Sequence, residues 1–156
     1  MAERMVDANG VVIWTEDFGD PSDPTILLVM GAGGQAILWP DELIDALVAG
    51  GKHVIRYDNR DVGQTTCFDF EKDPYTVADM AGDAVAVLDA YGVGEADIVG
   101  ASMGGMIVQT VALNSPDRVR TVTSIMSTPL AAGAMAAIMG TGSTSLPGPE
   151  QKVLDV

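Results

Sequence analysis

Basic side chains, histidine and cysteine are scarce in this 156-residue chain. Eight Lys and Arg residues stand against 22 Asp and Glu residues, so the formal net charge is −14. A surface this acidic repels phosphate backbones and anionic lipid headgroups, so we expect neither a nucleic acid nor a membrane as a partner. The single cysteine, Cys67, has no second cysteine with which to form an internal disulfide, which fits a reducing compartment. We expect it to be a small filler or loop residue.

Long apolar runs are also missing. The N-terminal segment 1–7 has neither the basic nor the apolar region of a signal peptide, and together with the single cysteine this favours a cytoplasmic protein. Segment 122–140 is rich in Ala and Met, but Thr, Ser and Pro residues interrupt it, so we do not interpret it as a membrane span. The length is enough for one domain with a hydrophobic core.

The chain does contain short apolar runs that alternate with helix-like segments. The turn pair Asn9-Gly10 between two β-prone runs predicts an opening antiparallel hairpin. Thr76 and Asp79 form a near match to a capping box and predict a helix that ends at Gly92. Further strands are predicted at 25–30, at 53–57, around Ile98 and Val99, and at 119–126, and a helix is predicted to begin at Pro40 and to stop at Gly50-Gly51. Strands that alternate with helices indicate an α/β fold with a mostly parallel, doubly wound sheet.

The most informative stretch lies where one buried strand meets a helix. Gly100, Ser102 and Gly104 give the spacing G-x-S-x-G at this junction. A strand-to-helix turn this tight requires small residues on both sides of the serine and exposes its hydroxyl at the apex. The N-terminus of the following helix directs N–H groups and a positive dipole end to the same place, which would stabilise an oxyanion. We therefore predict a nucleophilic serine at position 102.

A glycine-rich loop, Gly31-Ala32-Gly33, follows another parallel strand that should lie beside this elbow. One backbone N–H of the loop could join the N–H of Met103 in binding an oxyanion. The same loop also fits the dinucleotide fingerprint G-x-G-x-x-A, with Asp58 near the position of a ribose-binding acid. Against that alternative, the next helix begins only at Pro40, so no helix N-terminus would face a pyrophosphate.

A serine nucleophile needs a general base and an acid that orients it, and the sequence offers neither in a suitable place. The only histidine, His53, begins its predicted strand whereas Ser102 ends another, so we expect a separation on the order of 15 Å and a surface or strand-end role. Asp58 and Asp61 follow a strand but precede the serine, whereas in a fold with this elbow the acid follows it. The carboxylates that follow Ser102 are Asp117, Glu150 and Asp155.

Several phrases besides the elbow resemble one family. They are Leu27-Leu28-Val29-Met30-Gly31, Trp39-Pro40-Asp41-Glu42, His53 to Asp58, Arg60-Asp61-Val62-Gly63, Asp83 to Asp89, and Val99 to Gly104. Together they resemble the N-terminal half of an α/β-hydrolase, in particular the aclacinomycin methylesterase group, which comprises cofactor-free esterases of anthracycline-type polyketide esters. The resemblance implies Ser102 as nucleophile and the backbone N–H groups of Ala32 and Met103 as oxyanion donors. It also implies that no cofactor or metal is needed and that the substrate is a small-molecule ester with a bulky, polyketide-like part.

The resemblance also implies how the chain is divided and which catalytic residues it does not contain. Residues 1–128 would be the N-terminal part of the hydrolase core, and residues 129–156 would begin the cap or form a linker. The cap, the last strands, the triad acid and the triad histidine of that family would lie beyond Val156, so we expect impaired turnover in this chain. The alternative is a non-catalytic half-domain that associates with itself through the open strand edge at 119–126. Acyl transfer or cofactor-free halide oxidation at the same serine also stays open.

Overall fold

The computed structural model describes residues 2–129. Within them, one six-stranded sheet runs in the order β1-β2-β4-β3-β5-β6. The strands are β1 (Ala2–Ala8), β2 (Val11–Phe18), β3 (Thr25–Val29), β4 (His53–Tyr57), β5 (Ala96–Ala101) and β6 (Val119–Ile125), and the helices are α1 (Asp41–Ala49), α2 (Val77–Ala90) and α3 (Met103–Asn114). Apart from Pro129, the predicted cap or linker segment 129–156 lies outside the described residues.

The first two strands form the predicted antiparallel hairpin. Asn9 and Gly10 connect them with φ angles of 56° and 75°, and two successive positive φ angles are typical of the turn that matches the twist of a hairpin. β2 also pairs antiparallel with β4, which joins the hairpin to the rest of the sheet. The antiparallel part of the sheet therefore lies at one side only.

The other strands are parallel, and their carboxyl ends are level. Val29 of β3 pairs with Tyr57 of β4 on one side and with Gly100 of β5 on the other. Alternate residues of β3 point to opposite faces, because Leu27 and Val29 belong to the core under α2 and α3 whereas Ile26 and Leu28 pack on the α1 side. This is the predicted mostly parallel, doubly wound sheet.

The helix boundaries follow local signals. Thr76 accepts a hydrogen bond from the Asp79 N–H while the Asp79 carboxylate accepts one from the Thr76 N–H, so the predicted capping box is present at the start of α2. The prediction that α1 begins at Pro40 is wrong by one residue. Pro40 has an extended ψ of 138° and precedes the first helical residue, Asp41.

β6 is the outer strand of the sheet as far as the described residues go. All of its residues except Val119 are exposed. Val122 and the nearby Leu113 of α3 are 40% and 81% exposed. Among the described residues, this strand therefore exposes two apolar side chains, Val122 and Ile125, between polar ones.

Candidate active site

Ser102 lies between the last residue of β5 and the first residue of α3, with an exposed side chain. Its backbone has φ 54° and ψ −119°, a combination that costs a non-glycine residue about 1–3 kcal/mol. The turn is held from both sides, because the Ser102 N–H donates to the Ile125 carbonyl at 2.9 Å and the Ser102 carbonyl accepts from the Gly105 N–H at 2.9 Å. Strand pairing and the first helical turn together impose this conformation.

The two glycines of the G-x-S-x-G pattern lie in contact with backbone. A Cβ added to Gly100 would overlap the Gly104 carbonyl and lie 2.6 Å from the Gly105 nitrogen. A Cβ added to Gly104 would overlap the Val29 carbonyl at the end of β3. Because backbone atoms cannot move aside as a flexible side chain does, neither position has room for a side chain.

Two further glycines pack closely at the elbow, namely Gly31, in the loop predicted to lie beside it, and Gly105, for which the sequence analysis predicted no role. A Cβ on Gly31 would lie 3.0 Å from the Ser102 Cβ and 3.5 Å from its Oγ, so the loop after β3 packs directly on the serine. A Cβ on Gly105 would lie 2.6 Å from Ser124 Oγ and would overlap Ser127, at the end of β6. The doublet Gly104-Gly105 was the available sequence signal, since the serine pattern accounts for only its first member.

The two predicted oxyanion donors, Ala32 and Met103, flank the serine along different elements. Ala32 is exposed in the loop that Gly31 brings against Ser102, and Met103 is the first residue of α3. Among residues 2–129, no hydrogen bond is donated by the backbone N–H of either residue. The positive end of the α3 dipole lies at the same position.

Asp58 follows β4 at the same edge, but its side chain is buried. Its Oδ1 accepts a hydrogen bond from the Ala36 N–H at 2.7 Å. Burial raises the pKa of Asp58, and the backbone N–H groups of Ala36 and Gln64 partly oppose that rise. The carboxylate is thus engaged by the loop itself, and α1 begins only at Asp41, well after the glycines. This geometry gives no support to the dinucleotide alternative.

The other carboxylates considered in the sequence lie elsewhere or are occupied. Asp61 accepts hydrogen bonds from the Phe68 N–H at 2.5 Å and from the Tyr75 hydroxyl at 2.6 Å. Burial, and after it the bond to Asp61, raises the pKa of Tyr75 to about 12. Asp117 lies in a short 3₁₀ turn just before β6, at the end of the sheet opposite Ser102. Glu150 and Asp155 lie outside the described residues.

His53 is remote from the serine, and the prediction of a surface position for it is wrong. It begins β4 as predicted, but it is only 1% exposed. Its Nδ1 lies 3.1 Å from Thr25 Oγ1 and its Nε2 lies 3.3 Å from Asp17 Oδ2. In the register of the sheet, His53 is level with Thr25 whereas Gly100 is level with Val29, so at about 3.3 Å per residue His53 and Ser102 are roughly 20 Å apart.

Other side chains of the described residues are placed by burial and position. Trp39 and Met106, whose large side chains could in principle line an acyl pocket, are 6% and 9% exposed and belong to the core. Cys67 is exposed in the connection between β4 and α2. Within residues 2–129, no group of three or more His, Cys, Asp and Glu side chains is arranged to hold a metal ion. None of the helices in this part of the chain is long and apolar enough to cross a membrane.

Comparison with known proteins places this geometry in a family. Residues 24–153 match the model of the alpha/beta hydrolase fold. Over its whole length, the chain is 42% identical to rhodomycin D methylesterase of Streptomyces peucetius and covers 54% of that protein. It is 37% identical to a protein named putative carbamate hydrolase in Variovorax paradoxus, with 67% of the chain and 38% of that protein covered. The chain thus spans about half the length, or less, of these relatives.

Solved structures give the same result. Epoxide hydrolase A from Mycobacterium thermoresistibile superposes with a TM-score of 0.74 at 32% identity, covering 79% of this chain and 38% of that one. The enol-lactonase from Burkholderia xenovorans superposes with a TM-score of 0.70 at 26% identity, covering 76% of this chain and 45% of that one. The named relatives are hydrolases, and the sheet, the elbow and the family match agree, so this chain belongs to the alpha/beta hydrolase fold family.

Proposed function

We propose that this protein is a serine hydrolase that cleaves a carboxylic ester through an acyl-enzyme at Ser102. The Ser102 Oγ attacks the ester carbonyl, the backbone N–H groups of Ala32 and Met103 bind the resulting oxyanion, and the alcohol leaves. Water then attacks the acyl-enzyme and releases the acid. The reaction requires no cofactor or metal in this mechanism.

The observation that carries this proposal is the combination of exposure and backbone conformation at Ser102. An exposed serine with φ 54° is held at a tightly packed junction, where a Cβ at Gly31 would press on Ser102 and a Cβ at Gly100 or Gly104 would overlap backbone. Strained positive-φ residues concentrate at functional sites, where the surrounding structure imposes them. A turn that served only to connect a strand and a helix would have no need to keep an exposed hydroxyl in this conformation.

The base and the orienting acid of the mechanism do not come from the described residues. His53 is the one histidine of the chain, and its ring nitrogens already face Thr25 and Asp17. We therefore propose that these 156 residues by themselves acylate slowly and depend on a base supplied from outside them. Without a base, the oxyanion donors and substrate binding leave only about 10³–10⁴-fold catalysis over water.

For the substrate, we propose a small-molecule methyl ester whose acid part is bulky and polyketide-like, and we propose that its ester bond is cleaved. The support is the 42% identity to a protein named rhodomycin D methylesterase. The exposed side chains of Ile37 and Leu38, in the short 3₁₀ turn that follows the Ala32 loop, would offer apolar surface to such a substrate.

The test is covalent labelling of Ser102 with a fluorophosphonate, located by peptide mass spectrometry, alongside hydrolysis of a p-nitrophenyl ester. We expect the label on Ser102, and we expect Ser102→Ala to abolish both label and hydrolysis. Ser127→Ala is a matched control, because its hydroxyl is buried near the same helix terminus, and it should keep both. Hydrolysis that survives Ser102→Ala would refute the proposal.

A second candidate function rests on the open edge of the sheet. β6 is exposed along nearly its whole length, and unpaired apolar edges favour pairing with another chain. A non-catalytic half-domain would use this edge to associate with a second copy. Sedimentation velocity tests it, since Val122→Lys should convert a dimer to a monomer without changing the label on Ser102. A wild-type monomer at all concentrations would exclude this function.

A further inference from the structure

The loop that carries Ala32 is fastened at both ends by two consecutive residues of a neighbouring strand end. Asn59 Nδ2 donates to the Met30 carbonyl at 2.9 Å, directly before the loop. Asp58 Oδ1 accepts from the Ala36 N–H at 2.7 Å, directly after it. Asp58 and Asn59 are 3% and 2% exposed. The loop from Gly31 to Gln35 is thus held between two buried polar side chains.

The backbone that carries these two side chains is itself held by hydrogen bonds. The Asp58 N–H donates to the Trp14 carbonyl of β2 at 3.0 Å. The Asp58 carbonyl accepts from Thr65 Oγ1 at 2.8 Å, and the same hydroxyl accepts from the Trp14 N–H at 3.0 Å. Gly63, with φ +56°, has no room for a Cβ because the Asp58 carboxylate lies there. The backbone around Asp58 is therefore fixed by β2 and by the turn at Gly63.

The interior of the loop has little else to hold it. Its internal backbone hydrogen bond is the one from the Gly34 N–H to the Gly31 carbonyl at 3.2 Å. Ala32 and Gly33 are exposed, and Gly33 has φ +67° with no atom near its missing Cβ. A glycine-rich segment of this kind is flexible unless its ends are fixed. The position of the Ala32 N–H beside Ser102 therefore depends on the two attachments.

We propose that Asp58 and Asn59 are positioning residues that fix the Ala32 N–H against Ser102, so that the oxyanion donor is in place before substrate binds. This inference rests on the proposed function of Ser102. Neither side chain touches substrate, and each acts through the loop. A donor that is displaced by even about 1 Å loses much of its effect on the transition state, of order 10²-fold in rate.

The experiment compares Asp58→Ala and Asn59→Ala, which remove the acceptor and the donor of the two attachments, with the wild-type protein in three measurements. These are the second-order rate of fluorophosphonate labelling at Ser102, kcat and KM for a p-nitrophenyl ester, and amide hydrogen exchange in the peptide that covers residues 30–38. We expect labelling and kcat to fall about 10- to 100-fold, with KM changed less than threefold. We expect exchange of the loop amides to rise in both variants at a temperature well below unfolding.

Asp61→Asn is the matched control. Asp61 belongs to the same connection after β4, but it holds Phe68 and Tyr75 rather than the loop, and Asn tolerates its φ of 63° as well as Asp does. It should loosen its own connection and leave labelling, kcat and exchange of residues 30–38 unchanged. If Asp61→Asn lowers labelling as much as Asp58→Ala does, the effect is general destabilisation and the inference is wrong.

The remaining outcomes separate this inference from the proposed function. If wild-type protein is labelled at Ser102 but Asp58→Ala and Asn59→Ala label at the same rate, positioning is refuted and the serine mechanism stands. If loop exchange is unchanged in both variants, the attachments do not hold the loop and the inference is also refuted. Because acylation without the base is expected to be slow, the proposed function itself fails only if wild-type protein shows no label at Ser102 after prolonged incubation with excess reagent.

Discussion

Each end of the parallel sheet holds a hydroxyl side chain, and the two are arranged in opposite ways. At the amino end, Thr25 Oγ1 contacts His53, and His53 contacts Asp17, which is the order of groups in a catalytic triad. All three residues are at most 9% exposed. At the carboxyl end, Ser102 is exposed, and its side chain has no hydrogen-bond partner among the described residues. The end with the triad-like order has no access for substrate.

Access and oxyanion donors therefore distinguish the candidate site better than the order of hydrogen bonds does. Gly31 brings the loop after β3 against Ser102, whereas Thr25 is buried within β3, between β4 and β5. A nucleophile must reach a carbonyl carbon and its oxyanion must find donors, and the exposed hydroxyl and the proposed donors, Ala32 and Met103, all lie at the carboxyl end. The amino end is best described as a buried polar cluster that stabilises the fold. The following substitutions test this distinction.

We expect the largest loss of stability from Gly104→Ala. A Cβ there would overlap the Val29 carbonyl, so Gly104→Ala must push α3 away from β3. We expect a loss of about 3 kcal/mol or more in the free energy of unfolding, measured by urea denaturation. Gly94→Ala is the control, because no atom lies within 4 Å of its added Cβ, and it should change stability by less than about 0.5 kcal/mol. Equal stability of the two variants would contradict the close packing of the elbow.

A smaller effect is expected at the amino end from Thr25→Val. The substitution keeps the shape of the side chain but leaves His53 Nδ1 buried without its partner at 3.1 Å. We expect a loss of about 2 kcal/mol in unfolding free energy, the cost of a buried polar atom left unpaired. Fluorophosphonate labelling of Ser102 should stay at the wild-type rate. A loss of labelling in the folded variant would mean that the buried cluster takes part in the chemistry.

Much of the fold was predictable because its signals are local. β4 and the start of α2 were predicted to the residue, since β-branched runs and the Thr76-Asp79 capping box act over a few positions. The placement of β4 between β2 and β3 was not predicted. It depends on packing between segments that are distant in sequence, and no pattern within either segment specifies it.

The candidate site was predictable to a similar extent. The spacing of Gly100, Ser102 and Gly104 reflects the steric demand of one turn, so it is visible in the sequence. The loop of Gly31 was predicted to lie beside the elbow, but the role of Gly105 depends on Ser127, a neighbour that only the folded chain brings close. Burial of His53 could not be predicted either, because its partner Asp17 lies 36 positions away in sequence.

An ion pair between Asp97 and Arg120 stabilises the amino end of the sheet. We therefore expect the free energy of unfolding to fall at acid pH. Two bonds from Arg120, at 2.8 and 2.9 Å, and then one from Thr121, lower the pKa of Asp97 at this end of β5. A lowered carboxyl pKa stabilises the fold above the unfolded value and loses that stabilisation as pH falls through the folded value. We expect Asp97→Asn to cost about 1.5 kcal/mol near neutral pH, the low end for a charged hydrogen bond, since Arg120 is about a third exposed.

Urea denaturation from pH 7 down to pH 2 tests this, and the wild-type and Asp97→Asn stabilities should converge below about pH 4 as the wild-type carboxyl takes up its proton. A constant difference over this range would show that Asp97 stabilises through contacts that do not depend on its charge. The glycine contacts around Ser102 do not titrate, so Gly104→Ala should differ from wild type by the same amount throughout.

The smallest effect, and the most direct test of strain, compares glycine with alanine at the two hydroxyl positions. At Ser102, with φ 54°, glycine relieves a conformation that alanine does not relieve, so Ser102→Gly should be about 1 kcal/mol more stable than Ser102→Ala. At Thr25, inside β3, the order should reverse, because glycine in a strand is about 0.5–1 kcal/mol worse than alanine. Urea denaturation of the four variants measures both differences. If alanine is the more stable residue at both positions, Ser102 is not strained, and its exposure alone must then account for the site.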